Sequence, residues 1–167
     1  MLKKLLLLIG LLVYSQALSK NQIEDFKYSF NYGKKYGLGW TLAAISYTES
    51  SLGKYKVNLS DPSASSYHIL IKSVLSRNEI PDNAWNRSRM LEKLIRNRKF
   101  AANQAIAELL YWKSYWLNRG CTENWLWIKM VSSYNAGSYL NLRYVRKVSN
   151  AIRILKKVNI KYKLGLK

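Results

Sequence analysis

The chain has 167 residues, 49% of them hydrophobic, enough for one domain with its own core and too apolar for a disordered polyelectrolyte. Its 28 Lys and Arg against nine Asp and Glu give a formal charge of +19. That field attracts polyanions without choosing among nucleic acid, anionic lipid and acidic envelope polymers. One cysteine, Cys121, excludes an internal disulfide, and one histidine, His68, with no Cys/His motif around either residue, argues against a thiol nucleophile or a zinc site.

The N-terminus has the layout of a secretory signal peptide. Met1-Leu2-Lys3-Lys4 is a short positive start, Leu5 to Val13 an apolar run, and Ser15, Ala17 and Ser19 are small residues that suit cleavage after Ala17 or after Ser19. The apolar run is shorter than the ~20 residues that span a bilayer. The expected division is 1–19 signal peptide and 20–167 folded domain, with export to the periplasm, the cell envelope or the medium.

The domain reads as a succession of helices. Ile23, Phe26 and Phe30 mark a first amphipathic helix, interrupted by Gly33, Gly37 and Gly39. Trp40 to Ser51 is mostly apolar and predicts a buried helix that Gly53 is placed to end. Lys54 to Ser66 reads as a polar loop with a weak signal for a short extended pair, Tyr67 to Ser76 as a helix, and Pro81-Asp82-Asn83 as a turn. Ser88 or a neighbour caps a helix carrying Met90, Leu91, Leu94 and Ile95. The next, Ala101 to Asn118, puts Ala102, Ala105, Ile106, Leu109 and Leu110 on one face and stops at Arg119-Gly120. Glu123 to Asn135 is another apolar helix. The last uses Leu140, Tyr144, Val148, Ile152 and Leu155 inward and presents Arg143, Arg146, Lys147, Arg153, Lys156 and Lys157 to solvent.

Glu49 stands out among the acids. It follows Ala43, Ala44, Ile45 and Tyr47 near a helix C-terminus, where apolar surroundings and the negative end of the helix dipole both disfavour the charged carboxylate. A carboxyl so placed suits general-acid work such as protonating the leaving oxygen of a glycosidic bond. A solvated helix-end glutamate is the plainer alternative.

Three blocks then occur in order: Glu49-Ser50, Tyr134-Asn135-Ala136-Gly137 and Tyr144-Val145-Arg146-Lys147-Val148. Together they resemble the lysozyme-like lytic transglycosylases, which cut the glycan strands of bacterial peptidoglycan. The resemblance is strongest over 36–150. The family's middle element, Gly-x-x-Gln-Ile, falls on Ser65-Ser66-Tyr67-His68-Ile69, so Ser65 replaces the glycine and His68 the glutamine. A glycine there would allow positive φ or close substrate approach. His68 is either a sugar or acetamido hydrogen-bonding partner able to titrate near neutrality, or a packing residue.

The resemblance implies a mainly α, lysozyme-like domain with a polar loop or small β element beside the active-site cleft. It implies Glu49 as the catalytic acid and base, with the substrate's 2-acetamido group standing in for an enzymic nucleophile and a 1,6-anhydro product. Substrate-binding candidates are Ser50, Ser63, His68, Tyr134, Asn135 and Tyr144. Tyr134 would orient Glu49 or the acetamido group, and Asn135 would brace the backbone or touch the sugar. Ser50 and Ser63 would fix the loop or bind sugar, and Tyr144 would line the cleft floor or fill the core. No cofactor or metal is expected. The expected partner is the peptidoglycan glycan strand, with an anionic envelope surface as a further candidate, no nucleic acid, and a monomeric state. The alternatives are a hydrolytic lysozyme or phage endolysin of the same fold, with Asp61 in principle a second acid, and a non-catalytic basic envelope-binding protein.

Overall fold

The computed structural model of the protein describes residues 18–58 and 60–167, so the signal-peptide reading falls almost wholly outside the described residues. Helix α1, Lys20–Lys34, starts in a capping box: Ser19 Oγ accepts from Gln22 N at 3.3 Å, and Gln22 Oε1 accepts from Ser19 N at 3.0 Å. Its Phe26, Phe30 and Gly33 turn inward at helical spacing. Gly33 lies inside α1 rather than breaking it, because a Cβ there would come within 2.7 Å of the Leu38 carbonyl oxygen and 2.9 Å of Leu42 Cβ.

Helix α2, Gly39–Ser50, is apolar on almost all sides, and Leu42, Ala43, Ala44 and Ile45 are wholly buried. It packs against α1 and α7. The helix ends before Gly53: Ser51, Leu52 and Gly53 all have positive φ, at 52°, 58° and 76°. For the two non-glycines that conformation costs about 1–3 kcal/mol each. It is held by Ser51 N–H and Leu52 N–H donating to the Tyr47 and Ser46 carbonyls, and by the burial of Leu52.

The polar segment contains more sheet than its composition suggests. β1 (Val57–Asn58), β2 (Ser63–Ala64) and β3 (Ile69–Leu70) form an antiparallel sheet in that order, with Val57 opposite Ala64 and Ala64 opposite Ile69. The helix expected over Tyr67 to Ser76 is therefore shorter. Tyr67 and His68 belong to the β2–β3 turn, and α3 runs only over Ile71–Arg77. Tyr67 is 1% exposed and its ring belongs to the core.

Helix α4, Ala84–Arg96, is capped by Asn83 rather than Ser88, its Oδ1 accepting from Asn86 N at 2.9 Å. Asn97 caps α5, Arg98–Leu117, in the same way. Leu110, expected inside, is exposed, since the buried stripe of α5 follows Ala101, Ala105, Ile106 and Leu109. Helix α6, Glu123–Ala136, ends at Gly137, and α7, Leu142–Lys161, buries Tyr144, Val145, Val148, Ala151 and Leu155. Leu140 lies before α7 and faces solvent; the six basic residues of its outer face are exposed as expected.

The protein is thus mainly α, seven described helices with a small three-stranded sheet on one side. One core cluster joins all the helices, and each large side chain buried in it contributes about 1.5–3 kcal/mol relative to exposure. No described helix is long and apolar enough to cross a membrane.

Candidate active site

Glu49 occupies the last turn of α2, where the helix emerges from the core. Its side chain is 17% exposed and lines a cleft of about 270 Å³. The opposite walls come from the sheet and its turns (Asn58, Asp61, Ser63, His68), from α5 (Glu108, Trp112) and from the end of α6 (Ser133, Tyr134, Asn135). Three of the chain's nine acidic residues, Glu49, Asp61 and Glu108, therefore gather in one cleft of a strongly basic protein. A larger hollow of about 570 Å³ lies over α4. Its one carboxylate, Glu92, lies in solvent beside Arg96 one turn on, whereas Glu49 is sheltered in the cleft.

Two groups meet the Glu49 carboxyl. The Tyr144 hydroxyl donates to Oε1 at 2.5 Å, and His68 Nδ1 lies 3.5 Å from Oε2. Burial first, and then the neighbouring Glu49 charge, push the Tyr144 phenol well above its ordinary value, so it stays protonated and acts as a donor. The Tyr134 phenol is raised for the same reasons in the same order.

Tyr144 fills the core, one of the two places expected for it, but Tyr134 takes a different part from that expected. Tyr134 donates to the Tyr67 carbonyl at 2.9 Å and so braces the β2–β3 turn. Tyr144 is the one that orients Glu49, a contact made possible by the packing of α2 on α7.

Ser50 does not reach the cleft. It is fully buried; its hydroxyl lies 2.7 Å from the Ser66 carbonyl and 3.0 Å from the Ser46 carbonyl, and accepts from Gly53 N at 2.8 Å. Its place in the structure is loop fixation, since no face of the hydroxyl is left for a ligand. Ser63 is buried but lines the cleft. Asn135 also lines it while accepting from Asn141 Nδ2 at 2.9 Å, which ties the end of α6 to the start of α7.

At the departure from the family pattern, Ser65 has φ 81° and His68 φ 42°. The position where the pattern has glycine is thus one that favours glycine, and Ser65 adopts it under local restraint. Its N–H donates to the Lys56 carbonyl at 2.9 Å, and its Oγ accepts from Tyr67 N at 3.2 Å.

Behind the cleft, Asp25 of α1 accepts from Ser46 Oγ at 2.7 Å, Ser66 Oγ at 3.1 Å and Arg98 Nη2 at 3.1 Å. This one buried carboxylate ties α1, α2, the β2–β3 turn and α5 together. It also explains Gly53, where a Cβ would meet Ser66 Oγ at 2.9 Å and Asp25 Oδ1 at 3.4 Å.

Glu108 and Trp112 were not singled out as site residues by sequence reasoning. Glu108 is held by the Arg77 guanidinium and by Trp112 Nε1, which donates at 2.8 Å. A signal exists: Gln104, Glu108 and Trp112 are spaced by four along α5, beside an otherwise apolar stripe, so they share one side of the helix. Cys121 is a free, partly exposed thiol, and among the described residues no three His, Cys, Asp or Glu converge as a metal site.

Comparison with protein-family models, curated proteins and solved structures found no match to this chain.

Proposed function

We propose that this protein is an exported peptidoglycan lytic transglycosylase with a lysozyme-like helical domain. In this reading it cuts the bond between N-acetylmuramic acid and N-acetylglucosamine and leaves 1,6-anhydro ends. The single observation that carries the reading is the convergence on one cleft of Glu49, His68 of the β2–β3 turn and Tyr134-Asn135, with Tyr144 bonded to Glu49 from the core behind it, blocks far apart in sequence.

Chemically, Glu49 delivers a proton to the bridging oxygen as the glycosidic bond breaks. The electron pair of that bond leaves with the oxygen, and the 2-acetamido oxygen of the muramoyl sugar stabilises the anomeric carbon. Ionised Glu49 then takes the proton of the 6-hydroxyl, whose oxygen closes the anhydro ring. Tyr144 steadies the carboxyl through both steps by donating to Oε1, which leaves Oε2 for the proton traffic. Removal of 1–19 takes Lys3 and Lys4 from the +19 of the whole chain, and the +17 that remains holds the enzyme near acidic envelope polymers, while the cleft itself is lined by acids.

A hydrolytic outcome is the second reading, favoured by one observation. Asp61 shares the cleft with Glu49, while Glu108 is held by Arg77 and Trp112, so a second carboxylate that could position water is at hand. Purified sacculi incubated with wild type and Glu49→Gln, followed by mass spectrometry of the released fragments, test both. Anhydro ends from wild type alone are expected. Reducing ends would make the protein a lysozyme, and equal release by both proteins would remove Glu49 from the chemistry.

A further inference from the structure

His68 is placed against Glu49 at conformational expense, since φ 42° is a region that side chains other than glycine rarely adopt. Its Nε2 lies 2.7 Å from the Tyr55 carbonyl oxygen. A carbonyl can only accept, so Nε2 carries a hydrogen in every protonation state of the bound ring. Nδ1, 3.5 Å from Glu49 Oε2, is therefore either a bare lone pair or the second N–H of a cation. On the other side, Oε1 is occupied by the Tyr144 hydroxyl, so a proton on Glu49 belongs on Oε2. With no proton between them, Oε2 and Nδ1 oppose two lone pairs; with two, they oppose two hydrogens. One proton suits both.

We propose that Glu49 and His68 hold a single proton jointly between Oε2 and Nδ1, and that this is the proton the site delivers to the leaving oxygen. His68 is thus a positioning residue that stores the proton, and the inference rests on the reading of Glu49 as the acid. In this proposal the shared proton rests on Nδ1. As the glycosidic oxygen approaches, the Nδ1–H bond breaks, its electron pair stays on nitrogen, and an O–H bond forms at Oε2. That proton passes to the leaving oxygen, and the one taken later from the attacking hydroxyl restores the pair. At 3.5 Å the gap exceeds a normal hydrogen bond by about 0.5 Å. Oε2 therefore stays open to an incoming oxygen, and transfer needs only a small closing movement.

The groups facing His68 agree with this. Glu49 of α2 and Asp61 of the β1–β2 loop are acidic, and the Tyr55 carbonyl accepts. Around the Glu49 carboxyl, α6 and α7 bring the protonated phenols Tyr134 and Tyr144, and Glu108 across the cleft is bound by Arg77. The Glu49 carboxylate raises the His68 pKa above its ordinary 6.5, with burial opposing and the Tyr55 carbonyl and Asp61 adding to the rise.

Because the chain has one histidine, its ring signals can be assigned without ambiguity. The test is an NMR titration of the ring nitrogens and carbon-bound protons in wild type and Glu49→Gln. The expected result is a titration above 6.5 in wild type, a lower one in Glu49→Gln, and an Nε2–H tautomer for the neutral ring. The same midpoint in both proteins, or an Nδ1–H tautomer, overturns the proposal. A second arm follows release from sacculi against pH. Wild type should lose activity as pH rises through the measured His68 midpoint, and in His68→Gln, folded by circular dichroism, that alkaline limb should move to lower pH, because Glu49 then holds the proton alone. An unchanged limb in His68→Gln overturns the shared proton's role and leaves Glu49 as the acid. No release by wild type at any pH overturns the glycan-cutting reading and the delivery step with it, while the proton sharing seen by NMR would stand.

Discussion

Tyr144 and Glu49 are 95 residues apart in sequence, yet the phenol donates to Oε1 at 2.5 Å across the contact between α7 and α2. Rotation of the carboxyl about its last bond is thereby restricted, and Oε2 is kept toward the cleft. Tyr144→Phe removes the donor while keeping the ring in the core. The expected result is a fall in kcat of about a hundredfold with little change in KM, because misaligned catalytic groups lose rate rather than binding. Steady-state release from sacculi, with circular dichroism to check the fold, decides it. A Phe variant at full rate would mean that packing alone sets the carboxyl.

The carboxylate behind the cleft is a structural counterpart. Asp25 is 6% exposed and accepts from two hydroxyls and a guanidinium. Asp25→Ala leaves Ser46 and Ser66 hydroxyls buried without this acceptor and Arg98 without its ion pair. Part of the Arg98 side chain stays in water, so the expected loss is about 2–4 kcal/mol rather than the top of the range for a broken buried pair. Urea denaturation measures it.

The turn that carries His68 offers a comparison of two substitutions at one site. Ser65→Ala and Ser65→Gly both delete the hydroxyl that accepts from Tyr67 N, but only glycine relieves φ 81°. Ser65→Gly should therefore be the more stable of the two by about 1 kcal/mol. A reversed order in thermal unfolding would mean that the turn is not under the strain its dihedral implies.

Stability should also follow the His68 ring. Its folded pKa is raised above 6.5, so its contribution to stability is fully present below 6.5 and is lost as pH rises through the folded value. Chemical denaturation of wild type at successive pH values should show unfolding free energy falling over that window. In His68→Gln the fall should be absent. Parallel curves for the two proteins would place the pH dependence in other groups.

The cap of α1 bears on processing. Ser19 closes the capping box with Gln22, so cleavage after Ala17 keeps the cap and cleavage after Ser19 removes it. On the export reading proposed above, intact-mass measurement of the processed chain is expected to give Leu18 as its first residue. Ser19→Ala should lower stability by about 1 kcal/mol.

Much of the architecture was legible from local pattern. Phe26 and Phe30, Met90 and Leu94, and Val148 and Leu155 recur at helical spacing, and each pair is buried. Helical periodicity is a property of neighbouring residues, so sequence alone determined where most helices run and that Glu49 stands at the end of a buried one. The Tyr67–Leu70 stretch was misread as helix because its apolar residues fit either period over so short a run. Tertiary structure alone decided that Tyr144, not Tyr134, holds Glu49, that Ser50 faces inward, and that Glu108 and Trp112 share the cleft. It also decided that a backbone carbonyl at Tyr55 fixes which nitrogen of His68 carries hydrogen. Those facts depend on the distances at which α2, α5, α6, α7 and the sheet pack. No periodicity along the chain encodes which of two tyrosines on different helices will reach a carboxylate on a third.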